Sequence, residues 1–235
     1  MTRTVDQGGW LQLPEFAPIA TCRDWTARIV ADRKRWRVQA QAWLYGRAYY
    51  HDMECGDLHE YHRDAAAVNK LVAKLPAYVE TMKRAGGHLA GPGGKTGLPL
   101  RARRERLGPY WVDSAFHINA RLDAGPVHAD YEGLAPYPAM MFDKSTRAFS
   151  AVLAVSAPEQ GGGLVLWEKR HLADETPKLG EPVRLDYPQG MMTIIDSFLY
   201  HQIAATTVSR MSYRIAGVMH FLYHDKPSPH WEYWF

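Results

Sequence analysis

The sequence of residues 183–223, VRLDYPQGMMTIIDSFLYHQIAATTVSRMSYRIAGVMHFLY, alternates short apolar runs with turn residues. Its β-branched and aromatic residues favour strands, and Pro188, Gly190 and Asp196 favour turns between them. Runs of the same kind occur upstream. The predicted strands are 116–122, 148–156, 164–167, 183–187, 191–195, 201–206 and 212–223. Several short strands at this spacing indicate a β-sandwich or jelly roll rather than βαβ units.

The first half of the chain has the period of α-helices. Apolar residues recur close to every 3.6 residues across 21–44, at Trp25, Ile29, Trp36, Ala40 and Trp43. A second helix is predicted to begin near Asp64 and to end at Gly86-Gly87, and Pro76 should kink or split it. Between Gly91 and Pro109 the pattern indicates a mobile loop.

Helices followed by strands predict a mainly β fold with flanking helices, of the α+β class. We expect a jelly-roll core with the N-terminal helices packed on one side. Residues 1–235 are predicted to form one domain, with a helical support region and loop at 1–109 and the core at 110–235.

Composition and charge exclude several classes of protein. The 235 residues are 46% hydrophobic and 23% charged, which excludes disorder and coiled coil. No apolar run approaches the roughly 18 residues of a membrane span, and the N-terminus lacks a secretory apolar segment. The two cysteines provide no disulfide framework, so a cytoplasmic location is predicted. Residues 1–106 carry 18 Lys+Arg against 11 Asp+Glu, which we interpret first as a solvated helical surface.

The residues that carry chemistry begin with His128-Ala129-Asp130. In an extended segment, residues i and i+2 point to the same side, so an imidazole and a carboxylate reach one point. His201, which follows the predicted strand 191–195, is the third candidate. Two histidines and one carboxylate on one face leave three metal positions open, an arrangement that suits Fe(II) in oxygen chemistry. We therefore predict His128, Asp130 and His201 as metal ligands.

A second His-x-Asp sequence, His62-Arg63-Asp64, differs from the first in its context. It lies at the start of a predicted helix, whereas His128 follows a strand and a Gly-Pro turn. The helical copy is therefore not predicted to bind metal.

A carboxylate receptor is predicted downstream of His201. Arg210 and Ser212 share a face by period two where the next strand begins. A guanidinium beside a hydroxyl suits a carboxylate, because the arginine fork can bind bidentately. Arg214 lies on the same face and is the alternative receptor.

Two glycine turns complete an ordered set of motifs. Gln160-Gly-Gly-Gly-Leu164 precedes the strand ending at Trp167, and Pro188-Gln-Gly190 precedes the run 191–196. Trp167 is predicted either in the core or in the wall of a substrate pocket. The complete set in chain order is His128-x-Asp130, Gly161-Gly-Gly-Leu164, Pro188-Gln-Gly190, His201 and Arg210-x-Ser212. This set, over about residues 116–223, resembles the Fe(II)/2-oxoglutarate-dependent dioxygenase superfamily, whose core is a double-stranded β-helix.

The resemblance implies that the three predicted ligands hold Fe(2+), and that Arg210 with Ser212 binds the distal carboxylate of 2-oxoglutarate. O2 and 2-oxoglutarate would be consumed, and succinate and CO2 released, while a C–H bond is hydroxylated, desaturated or cyclised. Related halogenases lack the carboxylate ligand, so Asp130 favours these reactions over halogenation. Leu122 stands where many members have a tyrosine, which is a departure from the family at a cosubstrate contact.

The identity of the substrate stays open. A compact domain without an obvious recognition module favours a small molecule, such as an amino acid or a natural-product intermediate. The alternatives are the same chemistry on a protein side chain or a nucleic-acid base, and a non-enzymatic jelly-roll binding module. The basic run 101–106 lacks interleaved aromatic residues, so nucleic acid is not the expected partner. No membrane partner is expected, and the sequence does not indicate an oligomeric state.

A rival metal site is possible within residues 51–62. This segment offers three imidazoles and the Cys55 thiol, although its spacing differs from that of zinc fingers. The alternative is that these residues bind a second, structural metal ion, in competition with the assignment of the metal to the predicted triad.

Overall fold

The computed structural model describes residues 3–39, 42–104, 111–120, 123–141, 143, 145–171, 179–207 and 213–235. The helices are α1 (Ile19–Ala31), α2 (Tyr49–Glu54), α3 (Leu58–Val72), α4 (Tyr78–Lys83) and α5 (Pro138–Met141). The strands of the first half are β1 (Trp10–Leu13), β2 (Arg37–Gln39), β3 (Ala42–Tyr45) and β4 (Leu100–Ala102). Those of the second half are β5 (Ala115–Asn119), β6 (Ala148–Ser156), β7 (Gln160–Gly161), β8 (Leu164–Arg170), β9 (Val183–Leu185), β10 (Met192–Asp196), β11 (Leu199–Ile203), β12 (Thr206–Thr207), β13 (Arg214–His224) and β14 (His230–Trp234).

A large sheet, a smaller sheet and a separate pair of strands form the β core among the described residues. The large sheet has the order β1-β10-β6-β13-β5-β3-β2, and β14 pairs with β13. A smaller sheet has the order β11-β8-β9, and β12 pairs with β7. The prediction of a mainly β jelly roll with flanking helices is confirmed.

Strand β13 shows how the sequence separates the two faces of the large sheet. Ile215, Met219 and Phe221 belong to the core that includes the helices. The alternate residues of β13 point to the opposite face and line a cavity, because successive strand side chains alternate. Gly217 lies on the helical face, where a Cβ atom would be only 2.3 Å from Tyr78 Oη. The glycine therefore allows α4 to pack closely on the sheet.

The helices pack as an amphipathic layer. Cys22, Trp25 and Ile29 are the buried residues of α1, at the spacing of one helical face. Trp25 Nε1 donates a hydrogen bond to the Pro76 carbonyl at 3.0 Å, which ties α1 to the link between α3 and α4. The second predicted helix is split at Pro76, as expected, since α3 ends at Val72 and α4 begins at Tyr78.

The predicted helix 21–44 is wrong beyond Ala31. Residues 37–39 and 42–45 form β2 and β3, which pair with each other, and β3 also pairs with β5. The apolar residues that fit a helical period in this segment also fit strands. Trp36 and Trp43 pack against each other with ring centroids 6.0 Å apart. Tertiary pairing with β5 decides in favour of strands.

The prediction of a mobile loop over 91–109 is also wrong in part, and its residues 105–109 lie outside the described residues. Residues Leu100–Ala102 form β4, which pairs in parallel with β14. The sequence analysis also does not predict β1 or β14, which are both short: β1 pairs with the distant strand β10, and β14 forms an antiparallel hairpin with β13. Within the part of the chain that the structure describes, no helix has both the length and the apolar character needed to cross a membrane.

Candidate metal centre

A β-bridge brings His128 and His201 together. The backbone N–H of each residue donates to the carbonyl of the other, at 2.9 and 2.8 Å. Gly125 N–H donates to the Ile203 carbonyl at 2.9 Å, so the segment before His128 runs along β11. The backbone of this pairing places the two imidazoles side by side, with ring centroids 4.3 Å apart.

Asp130 completes the group. Its Oδ1 atom lies 3.6 Å from His128 Nε2 and 3.4 Å from His201 Nε2. One potential ligand atom from each of the three residues lies within 4.8 Å of the others. The predicted proximity of all three side chains is therefore observed, and no other such group of His, Cys, Asp and Glu occurs among the described residues.

The hydrogen bonds of the two imidazoles select their tautomers. His128 Nδ1 lies 3.0 Å from the Pro126 carbonyl, and His201 Nδ1 lies 2.9 Å from the Leu199 carbonyl. A carbonyl only accepts, so each Nδ1 donates and each neutral ring presents its lone pair at Nε2. Both Nε2 atoms lie within 3.6 Å of Asp130 Oδ1. Two imidazole nitrogens and one carboxylate form a donor set that fits a divalent transition metal.

The charges of the group reinforce one another. Burial alone would raise the pKa of Asp130, but the neighbouring His201 and His128 outweigh it and hold the pKa below its usual range. Burial and then His201 lower the pKa of His128. For His201, burial opposes protonation, but Asp130 raises its pKa overall. An ionised Asp130 is the form that binds a cation.

The group opens onto a cavity of about 110 Å³ between the two sheets. The large sheet contributes His117, Val152, Thr193, Ile195, Arg214, Ala216, Val218 and His220. The opposite wall includes Leu164 and Ile203, and Tyr50 and Phe235 also line the cavity. The walls are mainly apolar with a few convergent polar groups, as in small-molecule sites. Trp167 is not one of the described lining residues.

Arg214 provides a buried cation in this cavity. Only 4% of its surface is exposed, and its guanidinium donates to the Gly162 carbonyl at 3.1 Å and to Asn119 Oδ1 at 3.4 Å. Its carbon Cζ lies 5.4 Å from the centroid of the Tyr187 ring. These partners are neutral, and burial lowers the pKa of Arg214. Arg210 and Ser212, the predicted carboxylate receptor, lie outside the described residues, as does Leu122.

Two histidines that line the cavity were not predicted from the sequence. His117 Nε2 lies 3.1 Å from Tyr50 Oη, and burial followed by Arg214 lowers the pKa of His117 to about 4. His220 Nδ1 lies 3.0 Å from Ser150 Oγ. Strand alternation places His220 on the same face as Arg214, and this signal was available once β13 had been predicted.

The rival segment 51–62 does not bring its candidate ligands together as a metal group in the described structure. His51 Nε2 and Cys55 Sγ are 3.9 Å apart, whereas His62 packs against Trp111 in an aromatic cluster. The second His-x-Asp sequence lies within α3, where Asp64 pairs with Arg47 at 3.0 Å.

Within the basic run 101–106, the structure describes residues 101–104, of which Arg103 is buried and Arg101 and Arg104 are exposed. Arg103 is buried between the rings of Trp111 and Tyr137 and pairs with Glu232 at 3.3 Å. Arg104 pairs with Asp113 at 3.2 Å. These contacts give both guanidiniums structural partners.

No model of a protein family matches this chain, and no curated protein matches its sequence. Its structure is similar to an N-substituted L-amino acid dioxygenase from Burkholderia ambifaria AMMD in complex with alpha-KG: TM-score 0.63, 13% identity, 96% of this chain and 86% of that chain covered. It is also similar to two non-heme alpha ketoglutarate dependent enzymes of nogalamycin biosynthesis. The epimerase SnoN aligns with a TM-score of 0.51 and 12% identity, covering 91% of this chain and 80% of its own. The carbocyclase SnoK aligns with a TM-score of 0.51 and 13% identity, covering 92% and 80%. The chain therefore has the jelly-roll fold of these oxygenases.

Proposed function

We propose that this protein is an Fe(II)- and 2-oxoglutarate-dependent oxygenase that oxidises an unactivated C–H bond of a small molecule. The observation that carries the proposal is the convergence of His128 Nε2, His201 Nε2 and the Asp130 carboxylate beside an apolar cavity. The fold shared with the amino acid dioxygenase and the two nogalamycin enzymes supports the same class.

In this proposal, His128, Asp130 and His201 hold the iron. The hydrogen bonds at Nδ1 keep both imidazoles in the tautomer that presents Nε2, and the ionised Asp130 supplies negative charge. The chemistry that iron supplies at such a site is the coupled use of O2 and 2-oxoglutarate to oxidise a C–H bond, with release of succinate and CO2.

The cosubstrate's distal carboxylate requires a cation inside the cavity. The sequence favours Arg210 with Ser212, and within the described residues Arg214 offers a buried guanidinium on the cavity wall. We propose that one of these arginines is the receptor, because a fork of N–H donors can bind a carboxylate bidentately. Leu164, Ile203 and Val218 would exclude water around the reacting groups.

Hydroxylation is the simplest outcome, and desaturation or cyclisation would use the same donor set. A natural-product intermediate or an amino acid fits the proposal, as the aligned enzymes are named for substrates and pathways of these kinds. We further propose a single domain over residues 1–235 in the cytoplasm; β1 and β3 support the single domain, since both pair with strands of the second half.

Uncoupled turnover tests this function without knowledge of the substrate. Purified protein with 2-oxoglutarate, O2 and added Fe(II) should form succinate, and omission of Fe(II) should abolish it. His128→Ala should also abolish succinate formation and metal binding. The matched control is His59→Ala, which removes an exposed imidazole from the rival segment and should leave both unchanged.

Two results would contradict the proposal. Absent succinate formation by wild-type protein would favour a non-enzymatic binding module, whereas succinate formation that does not depend on Fe(II) would contradict the proposed iron chemistry. Normal turnover by His128→Ala would show that the ligand set is misassigned. Screening of small molecules against peptides and nucleic acids for coupled turnover then separates the substrate classes.

A further inference from the structure

A second polar side chain lies beside Arg214 on the cavity wall. His117 alternates along β5 with residues of the core that includes the helices, so its ring lies on the cavity face. Asn119 pairs with Arg214 in the register of β5 and β13, and His117 lies two residues before Asn119. His117 and Arg214 are therefore diagonal neighbours on one face of the sheet, a separation that long side chains can bridge.

One nitrogen of the His117 ring is available to a ligand. Nε2 lies 3.1 Å from Tyr50 Oη. Nδ1 has no hydrogen-bond partner among the described residues, yet it is not one of the side-chain atoms that are both fully buried and without a partner. Nδ1 therefore keeps accessible surface, unlike His220 Nε2 on the same wall, which is fully buried. A molecule in the cavity can form a hydrogen bond with His117 Nδ1.

The charges of Arg214 and Asp130 both reach the His117 ring. Burial and then Arg214 lower the pKa of His117 to about 4, and Asp130 opposes them. The ring is therefore neutral near pH 7 and carries one proton. The ring thus lies close to a candidate receptor for the cosubstrate and to a proposed metal ligand, and the cosubstrate has to extend between these two groups.

We propose that His117 is a binding residue for 2-oxoglutarate, and that its Nδ1–H donates to the distal carboxylate that Arg214 receives. Tyr50 does not fix the tautomer of the ring, because a hydroxyl can either donate to Nε2 or accept from it. A carboxylate only accepts, so its binding selects the tautomer with the proton on Nδ1, and Tyr50 Oη then donates to Nε2.

A neutral donor suits the balance of charge in the site. The two negative charges of 2-oxoglutarate and that of Asp130 equal the positive charges of Fe(II) and one arginine. A protonated His117 would leave an unpaired buried charge, whereas the neutral ring adds a hydrogen bond without one. The inference rests on the proposed function, because it concerns the cosubstrate assigned there.

Two substitutions separate the Nδ1 donor from the shape of the ring. His117→Phe keeps a ring but removes both nitrogens, whereas His117→Asn can place an amide N–H near the position of Nδ1. Calorimetric titration of 2-oxoglutarate into anaerobic, Co(II)-loaded protein measures the affinity of each variant. His117→Phe should bind about 10- to 150-fold more weakly, as expected for a lost hydrogen bond to a charged group, and His117→Asn should stay within about threefold of wild type. The matched control, His59→Gln, alters an exposed imidazole and should bind as wild type.

A ligand without the distal carboxylate shows whether the lost contact is to that group. 2-Oxopentanoate has a methyl group in its place, and the visible spectrum of bound Co(II) reports its binding. His117→Phe should bind 2-oxopentanoate within about twofold of wild type, because the ligand lacks the group that His117 contacts. Equal weakening of both ligands would show a general disturbance of the cavity and overturn the inference. Wild-type affinity for 2-oxoglutarate in His117→Phe, or an equal loss in His117→Asn, would also overturn it.

Thermal melting of the metal-free variants is the control for folding, and both should melt close to wild type. If His117→Phe does not fold, Tyr50→Phe takes its place, because it removes the hydroxyl that supports the tautomer with the proton on Nδ1. It should weaken 2-oxoglutarate about two- to tenfold and leave 2-oxopentanoate unchanged. Unchanged affinity for 2-oxoglutarate in Tyr50→Phe would then overturn the inference.

The same titrations distinguish this inference from the proposed function. If wild-type protein loaded with Co(II) binds no 2-oxoglutarate, both fail. If Arg210→Met loses 2-oxoglutarate and Arg214→Met does not, the proposed function stands and the role of His117 fails. If Arg214→Met loses 2-oxoglutarate, the variants at position 117 alone decide the inference.

Discussion

Replacing Arg214 with Met separates the two candidate carboxylate receptors. The substitution keeps a long side chain in the cavity but removes the buried guanidinium. Truncating one partner of a buried, hydrogen-bonded charge pair costs about 2–5 kcal/mol. At about 1.4 kcal/mol for each tenfold change, 2-oxoglutarate should bind about 30- to 4,000-fold more weakly to Arg214→Met if this residue is the receptor.

Folding should respond differently from ligand binding. The hydrogen-bond partners of Arg214 that the structure shows are the Gly162 carbonyl and Asn119 Oδ1, and its other contact is the Tyr187 ring, so the substitution breaks no ion pair among the described residues. Removing a desolvated charge offsets the loss of these two hydrogen bonds. The melting temperature of the ligand-free protein should therefore stay within about 4 °C of wild type, the shift expected for about 1 kcal/mol.

Calorimetric titration of 2-oxoglutarate into anaerobic, Co(II)-loaded protein measures the binding loss directly. Arg184→Met, which alters an exposed residue of β9, is the matched control and should bind as wild type. A loss confined to Arg210→Met would assign the receptor to Arg210 and refute the role of Arg214. Wild-type affinity in both variants would refute the reasoning that a buried arginine receives the carboxylate.

The remaining predictions concern folding. Because burial lowers the pKa of His117 to about 4, the unfolded chain takes up a proton below about pH 6.5 that the folded chain refuses. The free energy of unfolding of the metal-free protein should therefore decrease as the pH is lowered, by about 2 kcal/mol between pH 7 and pH 5 from this residue alone. Urea unfolding should show that His117→Phe loses correspondingly less over this range, and an identical pH dependence would contradict the assignment. Gly217→Ala should destabilise the fold by about 1–3 kcal/mol, because the added Cβ would collide with Tyr78 Oη. Gly87→Ala is the control, because the space around Gly87 is open, and it should melt near wild type. Equal melting temperatures of the two variants would refute the packing of α4 on β13.

Local sequence signals predicted those elements whose period is strong. Strand β6 matches its predicted bounds, 148–156, and β13 differs by two residues at its start and one at its end. The split at Pro76 follows from the missing N–H of proline. By contrast, β2 and β3 continue an apolar spacing that also fits a helix, and only their pairing with β5 and each other decides the structure.

The candidate site shows the same division. Strand alternation predicts the proximity of His128 and Asp130, which the structure shows although Asp130 begins a 3₁₀ turn, and the ordered motifs predict their proximity to His201. The pairing of His128 with His201 is a backbone bridge between distant segments, which no local pattern encodes. His220 could have been predicted, because it shares a face of β13 with Arg214, whereas no such marker showed that the face of β5 carrying His117 encloses the cavity.

A crystal structure of the protein grown anaerobically with Fe(II) and 2-oxoglutarate tests the central claim most directly. We expect one iron, located by its anomalous scattering, bound by His128 Nε2, His201 Nε2 and the Asp130 carboxylate, with 2-oxoglutarate extending from the metal to a buried arginine. Iron bound elsewhere, or a fourth protein side chain closing its coordination sphere, would contradict the account.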